Sequence, residues 1–196
     1  MTCLRLVFPL LAVLAVTVLA ACDRGAAPAS HDGPRPAQWA VPIEVAGLPN
    51  LHRITEDIYR GAQPEEEGFA RLKEIGIKTV INLRTFHSDR EQCKRHGLDY
   101  VHITVQAWEG EDEEVVDFLK VVSDPERRPV FFHCLHGADR TGTMAAIFRL
   151  IFEDWSKPDA IEEMVTGGYG FHKMWQNLVE YVKNADVAEL RKSAGL

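Results

Sequence analysis

The pattern of apolar and polar positions changes twice along the chain, and each change marks a boundary. An apolar run over residues 6–21 follows Arg5 and ends at Cys22. Residues 23–49 are rich in Ala, Pro and Gly without periodicity, which is typical of a tether. Beyond it, short apolar segments alternate with amphipathic ones, so we expect the folded domain to cover residues 50–196.

The segments of this domain alternate between the two regular periods. β-Branched or alternating residues predict strands over 57–61, 78–83, 99–105 and 129–133. Helical spacing and helix-terminating residues predict helices over 64–75, 88–96, 112–122, 141–153, 158–166 and 171–184. Strands that alternate with helices are typical of α/β proteins. We therefore predict a central, mostly parallel β-sheet of about four to five strands, flanked by helices.

The apolar run near the start is interpreted as part of a signal peptide, residues 1–22. A basic residue precedes it and small residues end it, and it is shorter than the roughly 20 apolar residues that a spanning helix needs. Its end, Leu19-Ala20-Ala21-Cys22, resembles the bacterial lipobox, whose cysteine is lipidated, and Asp23 resembles the signal that retains such lipoproteins in the inner membrane. We expect a lipoprotein anchored at the periplasmic face of the bacterial inner membrane. A secreted or soluble periplasmic protein is the alternative.

The charge balance limits the classes of partner. Acidic residues outnumber Lys and Arg by 29 to 22, which gives a formal net charge of -7. Nucleic-acid binding usually requires a basic face, so we expect no nucleic-acid partner. Any anion-binding site must therefore be built locally.

The four cysteines fall into two groups. Cys3 and Cys22 belong to the predicted signal peptide, whereas Cys93 and Cys134 belong to the domain. Two cysteines in an oxidising compartment can form a disulfide. A half-buried helix cysteine is the favoured interpretation of Cys93, and a redox role is left open.

Candidate chemistry lies between the predicted strand 129–133 and the helix that follows. The segment reads His133, Cys134, Leu135, His136, Gly137, Ala138, Asp139, Arg140, Thr141 and Gly142. The carboxyl end of a strand and the N-terminus of a helix are both places where α/β proteins bind anions. Five residues separate Cys134 from Arg140, enough to form a backbone nest, and Gly137 gives that loop freedom to turn.

The side chains at the two ends of this segment predict a reaction. Only a thiolate attacks, and a helix N-terminus and nearby cations favour the thiolate of Cys134. The planar fork of Arg140 suits two phosphate oxygens. The Thr141 hydroxyl can donate to the thiolate or to a leaving sulfur, and His133 is expected to orient the loop. The alternative is a buried core cysteine beside a surface arginine.

The pattern H-C-x5-R-[ST] at residues 133–141 resembles the signature of the protein tyrosine phosphatase superfamily. The stretch 50–184 looks like its dual-specificity branch, in particular its exported bacterial members. The resemblance implies hydrolysis of phosphomonoesters through a phosphocysteine, without metal or cofactor. The histidines show no compact metal-ligand spacing.

The resemblance also implies a substrate class. Protein phosphotyrosine, with possible dual specificity, is the expected substrate. A phosphoinositide or another small phosphomonoester is the alternative, and a catalytically silent phosphate-binding module is a third hypothesis.

The general acid is left open among three carboxyl groups. In the family an Asp on a loop upstream of the nucleophile donates the proton, and here that loop spans residues 106–112. Glu109, which follows Trp108, and Asp139, inside the phosphate loop, rank equally. Asp112 ranks behind them because it is interpreted as a helix N-cap.

Overall fold

The computed structural model describes residues 33–106 and 112–196. The predicted signal peptide with Cys22, and the acid candidate Glu109, lie outside the described residues. Within them, every helix is too short or too polar to pass through a lipid bilayer.

A six-stranded sheet forms the centre of the domain. Its strands are β1 Val41–Pro42, β2 His52–Arg53, β3 Ile58–Gly61, β4 Thr79–Asn82, β5 Asp99–His102 and β6 Val130–His133. Their spatial order is β1-β2-β3-β6-β4-β5, in which β3, β6, β4 and β5 are parallel and β1 and β2 antiparallel. The predicted α/β class is thus confirmed. The sheet exceeds the predicted strand count because β1 and β2 have two residues each, too few to show an alternating pattern.

Helices cover the sheet. They are α1 Gly68–Glu74, α2 Arg90–His96, α3 Asp112–Ser123, α4 Asp139–Phe152, α5 Lys157–Thr166, α6 Gln176–Asn184 and α7 Val187–Ala194, with a 3-10 turn at Pro125–Arg127. The predicted start of α1 is four residues too early. The Glu65 amide donates to the Gly47 carbonyl, so this part of the chain is held against another segment and is not helical. The predicted start of α6 is also too early, because the His172 amide donates to the Asp139 side chain. Helix α7 was not predicted.

The central strand β6 is buried on both faces, which explains its continuous apolar run. Phe132 packs edge-on against Phe118 of α3 at a ring distance of 5.0 Å. These two rings belong to one hydrophobic core cluster. The neighbouring residue, Phe131, belongs to a second cluster, together with Val80 and Cys93. Adjacent residues of a strand point to opposite faces, so β6 contributes to both halves of the core.

Cys93 and Cys134 are both free thiols and belong to different core clusters. Cys93 is fully buried rather than half-buried, which corrects the prediction. Burial, with a smaller contribution from Asp89, raises the pKa of the Cys93 thiol to about 12. Its thiolate is therefore scarce at neutral pH, and its position fits a packing role.

The folded domain begins before the predicted boundary at residue 50. Trp39, Ala40 and Leu48 are buried, and the Ala40 amide donates to Oε1 of Glu163 at 2.6 Å. Part of the predicted tether therefore packs on the domain. The composition did not indicate this packing, because a few buried side chains and main-chain hydrogen bonds hold the segment on the domain. Such contacts leave no periodic pattern in the sequence.

Candidate active site

The loop between β6 and α4 follows the carboxyl end of the central strand. Gly137 in this loop has a φ of 69°. A Cβ on Gly137 would lie 2.5 Å from the carbonyl carbon and oxygen of Gly61 on the neighbouring strand β3. Only glycine meets both demands, so Gly137 determines the path of the loop.

Cys134 and Arg140 lie at the two ends of the loop. Cys134 is 2% exposed. Arg140 is partly exposed in the first turn of α4, and its Nη1 donates to the Leu83 carbonyl at 3.4 Å. The N-terminus of this 14-residue helix follows the loop, so its free amides and its dipole favour an anion there.

A pocket of about 230 Å³ opens beside Arg140. It is lined by Leu135, His136, Asp139, Arg140, His172, Met174 and Trp175. The last three side chains come from the segment before α6 and lie outside the sequence motif. All three fall within the helix predicted over residues 171–184, so no sequence pattern distinguished them as pocket residues.

Asp139 and His172 form a buried-to-exposed pair in this pocket. The His172 amide donates to Oδ1 of Asp139 at 2.9 Å, and the ring Nδ1 lies 2.8 Å from Oδ2. The His136 ring lies 5.2 Å from the His172 ring. Thirty-three residues separate Asp139 from His172, so no sequence spacing indicated this pair.

The two acid candidates among the described residues occupy different places. Asp139 lines the pocket that contains Arg140. Asp112 instead begins α3, where it accepts a hydrogen bond from the Tyr181 hydroxyl at 2.8 Å and lines a different pocket. Burial, together with this hydrogen bond, raises the pKa of Tyr181. Among the described residues, Asp139 is thus better placed than Asp112.

His133 is fully buried between a carboxylate and the main chain of the nucleophile candidate. Its Nε2 lies 3.1 Å from Oδ2 of Asp89, and its Nδ1 lies 3.1 Å from the Cys134 carbonyl oxygen. Asp89 also accepts from Asn82 and Gln63. Burial opposes ionisation of Asp89, but hydrogen bonds and the charge of His133 lower its pKa overall. This geometry is suited to the expected orienting role of His133.

A second buried network supports the loop from below, and no pattern in the sequence indicates it. Nη2 of Arg60 donates to the Gly137 carbonyl at 2.7 Å. Its guanidinium lies 3.7 Å from the ring centre of Tyr169, whose hydroxyl donates to Glu163 at 2.8 Å. Arg60 also interacts electrostatically with Cys134. A buried arginine is rare, so a strand position alone would not suggest this role.

The Thr141 hydroxyl is buried and has no hydrogen-bond partner within the described part of the chain. Buried hydroxyls are normally paired, so an unpaired one at a candidate site calls for an explanation. The Thr141 hydroxyl is therefore free to donate a hydrogen bond to an acceptor that forms during a reaction.

Comparisons with known proteins match most of the domain. The family described as DSP-PTPase phosphatase fused to NAD+ kinase matches residues 48–178. The dual specificity protein phosphatase TpbA of Pseudomonas aeruginosa is 34% identical over 159 residues, which cover 81% of this chain and 72% of TpbA. The inositol diphosphatase DSP3 of Arabidopsis thaliana is 25% identical over 151 residues, 73% of each protein.

A solved structure shares the fold. The crystal structure of P. aeruginosa TpbA in complex with pTyr, determined on a variant, has a TM-score of 0.73 and 31% identity to this chain. The similarity covers 83% of this chain and 99% of that one.

Proposed function

Because the chain belongs to the dual-specificity-like branch of the protein tyrosine phosphatase superfamily, we propose that it hydrolyses phosphomonoesters through a phosphocysteine on Cys134. The observation that carries this proposal is the loop itself. It begins with Cys134 after the carboxyl end of β6 and leads to Arg140 in the first turn of α4. A silent phosphate-binding module would not need the thiol.

The reaction has two steps, in which Cys134, Arg140, the loop amides and Thr141 take part. The Cys134 thiolate attacks phosphorus in line, the bond from phosphorus to the leaving oxygen breaks, and a general acid protonates that oxygen. Arg140 and the loop amides bind the equatorial oxygens. Water then attacks phosphorus and passes a proton back to the deprotonated general acid. The bond from phosphorus to sulfur breaks, and the sulfur leaves as a thiolate that accepts a hydrogen bond from the unpaired Thr141 hydroxyl.

We propose Asp139 as the general acid, with Glu109 as the alternative. Asp139 lines the pocket with Arg140, and the His172 amide and ring hold its carboxyl group in place. Asp112 is engaged by Tyr181 and lines another pocket.

Protein phosphotyrosine is the substrate that the pocket supports best, with dual specificity as an extension. Leu135, Met174 and Trp175 supply an apolar wall for an aromatic ring. Inositol phosphates carry several phosphate groups, which call for extra cations, and the variable loop positions 135, 136 and 138 hold Leu, His and Ala instead of Lys. The related TpbA forms a complex with pTyr. An inositol phosphate remains the second candidate because of the similarity to DSP3.

Turnover by the purified protein without added metal tests this proposal. Phosphotyrosine peptides, phosphoserine peptides and an inositol pyrophosphate are compared as substrates. We expect hydrolysis of phosphotyrosine to be fastest, and to be lost in both Cys134→Ser and Arg140→Ala. Faster hydrolysis of the inositol substrate would refute the substrate assignment alone. Full activity of Cys134→Ser would refute the mechanism.

We also propose that Cys22 is lipidated and that this lipid anchors the protein to the periplasmic face of the inner membrane. Several acyl chains on one cysteine give stable membrane binding. Cys22→Ser should move the protein from the membrane to the soluble fraction, and fractionation of cells that express this variant measures the shift. Cys3→Ser, which lies in the same predicted signal peptide, is the matched control and should stay in the membrane. An unchanged distribution of Cys22→Ser would contradict the proposal.

A further inference from the structure

We infer that His136, Asp139 and His172 form a binding site for a divalent transition-metal ion at the phosphate pocket, and that the bound ion inhibits turnover. Each residue offers one ligand atom, and the three ligand atoms all lie within 4.8 Å of one another. The inhibitory effect rests on the proposed function, whereas metal binding does not.

The ligand distances come within about 1.5 Å of those of a tetrahedral metal ion. Zinc bonds to nitrogen and oxygen of about 2.0–2.1 Å place tetrahedral ligand atoms ~3.4 Å apart. The widest ligand distance, up to 4.8 Å, therefore has to shorten by about 1.4 Å, whereas Nδ1 of His172 and Oδ2 of Asp139, now 2.8 Å apart, have to separate by about 0.6 Å. His136 and His172 are exposed, so their rings can rotate, while Asp139 is fixed at the start of α4.

The ligand set and its support suit zinc or cobalt. Two imidazoles and one carboxylate are a common ligand set for these ions, and three protein ligands leave one coordination position open. The His172 amide already holds Oδ1 of Asp139 at 2.9 Å, which leaves Oδ2 to face the His172 ring. A main-chain hydrogen bond of this kind orients a carboxylate ligand. Metal binding displaces the proton between Oδ2 and Nδ1.

The position of the site determines its consequence. All three ligands line the same pocket as Arg140. A bound ion coordinates the Asp139 carboxylate and the rings of His136 and His172 at one side of the pocket. Proton donation by Asp139 is then lost, and substrate has less room beside Arg140. The positive charge of Arg140 opposes the ion, which favours reversible over permanent occupancy.

Metal binding is measured on full-length Cys134→Ser, because this variant removes the thiol that would otherwise compete for the ion. Cobalt is followed by its absorption spectrum and zinc by calorimetry. We expect one equivalent, with a cobalt spectrum that lacks a sulfur charge-transfer band. His172→Asn and His136→Asn, added to this background, should each weaken binding at least about tenfold. His96→Asn, at the end of α2, is the matched control and should bind as the parent does.

Absence of binding, or equal affinity in the parent and both cluster variants, would overturn the proposed site. Inhibition is tested with the native thiol. The zinc concentration for half-inhibition should rise at least about tenfold in His172→Asn and stay unchanged in His96→Asn. Equal sensitivity would overturn the inhibitory role. A chain that bound metal and hydrolysed no phosphomonoester would refute the proposed function and leave the metal site supported.

Discussion

At the scale of single residues, Gly137 has the least freedom of the loop positions described above. It combines a left-handed φ of 69° with a gap that leaves no space for a Cβ against Gly61. A side chain here would displace the loop, and with it the alignment of Cys134 and Arg140.

Gly137→Ala should therefore lower kcat/KM about 100-fold, the cost of a displacement of about 1 Å at a reacting centre. Gly76→Ala is the matched control, since Gly76 also has a positive φ, of 91°, but a Cβ there meets no atom within 4 Å. The control should lose some stability and keep its activity. Steady-state kinetics and circular dichroism make the comparison, and equal activity of the two variants would contradict the role of Gly137.

The proposed role of Asp139 as proton donor can also be tested by a single substitution. Asp139→Asn keeps an oxygen to accept the His172 amide but cannot donate the proton. We expect the alkaline limb of the pH profile to disappear, with a loss of about 100-fold or more for alkyl phosphates. An aryl phosphate with a very acidic leaving group needs no acid and should be hydrolysed almost normally. An unaltered profile for Asp139→Asn, with the limb lost in Glu109→Gln, would transfer the role to Glu109.

At the scale of elements, the pairing of α4 with α5 holds the floor of the site. Arg149 of α4 donates to both carboxylate oxygens of Glu163 of α5, at 2.8 Å and 3.0 Å. Glu163 also accepts from Tyr169, which packs on Arg60. Burial opposes ionisation of Glu163, but its contacts with Arg149 lower its pKa overall. The loop is thus connected to the core by buried charges.

Loss of Glu163 should cost more than loss of an exposed acid. Glu163→Gln leaves the buried Arg149 with a weakened partner, and we expect the free energy of unfolding to fall by about 3–5 kcal/mol. Glu180→Gln, which breaks an exposed pair with Lys183, should cost at most about 1 kcal/mol. Urea unfolding measures both, and equal costs would contradict the role of the buried pair.

The elements also show what a sequence can and cannot predict. Strand β6 and helix α4 were predicted because their apolar residues are numerous and periodic, and the loop between them carries a contiguous motif. Strand β1 was not predicted, and the His172 segment was wrongly predicted as the start of a helix, because their positions depend on contacts between residues far apart in the chain. Arg60 belongs to the second kind: its partners Gly137 and Tyr169 are brought to it only by the folded chain.

At the scale of the whole molecule, His52 makes stability depend on pH. Burial lowers the pKa of His52 from its ordinary value of 6.5 to about 4. Between these values the unfolded chain binds a proton that the folded protein does not. The contribution of His52 to stability is therefore largest above pH 6.5, falls as the pH drops, and levels off near 4. The acids Asp89 and Glu163, whose pKa values are lowered, begin to remove stability as the pH falls below their ordinary values of 3.8 and 4.5.

We expect the wild-type free energy of unfolding to fall by about 2 kcal/mol from about pH 7 to about pH 5 because of His52. His52→Phe keeps an aromatic ring against Tyr169 and removes the titration. Its stability should change much less over this range in urea unfolding. The same decline in both proteins would show that another group is responsible.

The central claim is that Cys134 carries the phosphoryl group between the two steps. It is tested most directly by mixing the protein with a phosphotyrosine peptide that bears radiolabelled phosphate and quenching the reaction in denaturant within one turnover. Mass spectrometry of the digest should then find the label on the peptide that contains Cys134, and on no peptide of Cys134→Ser. Turnover with no label ever on Cys134 would contradict the account.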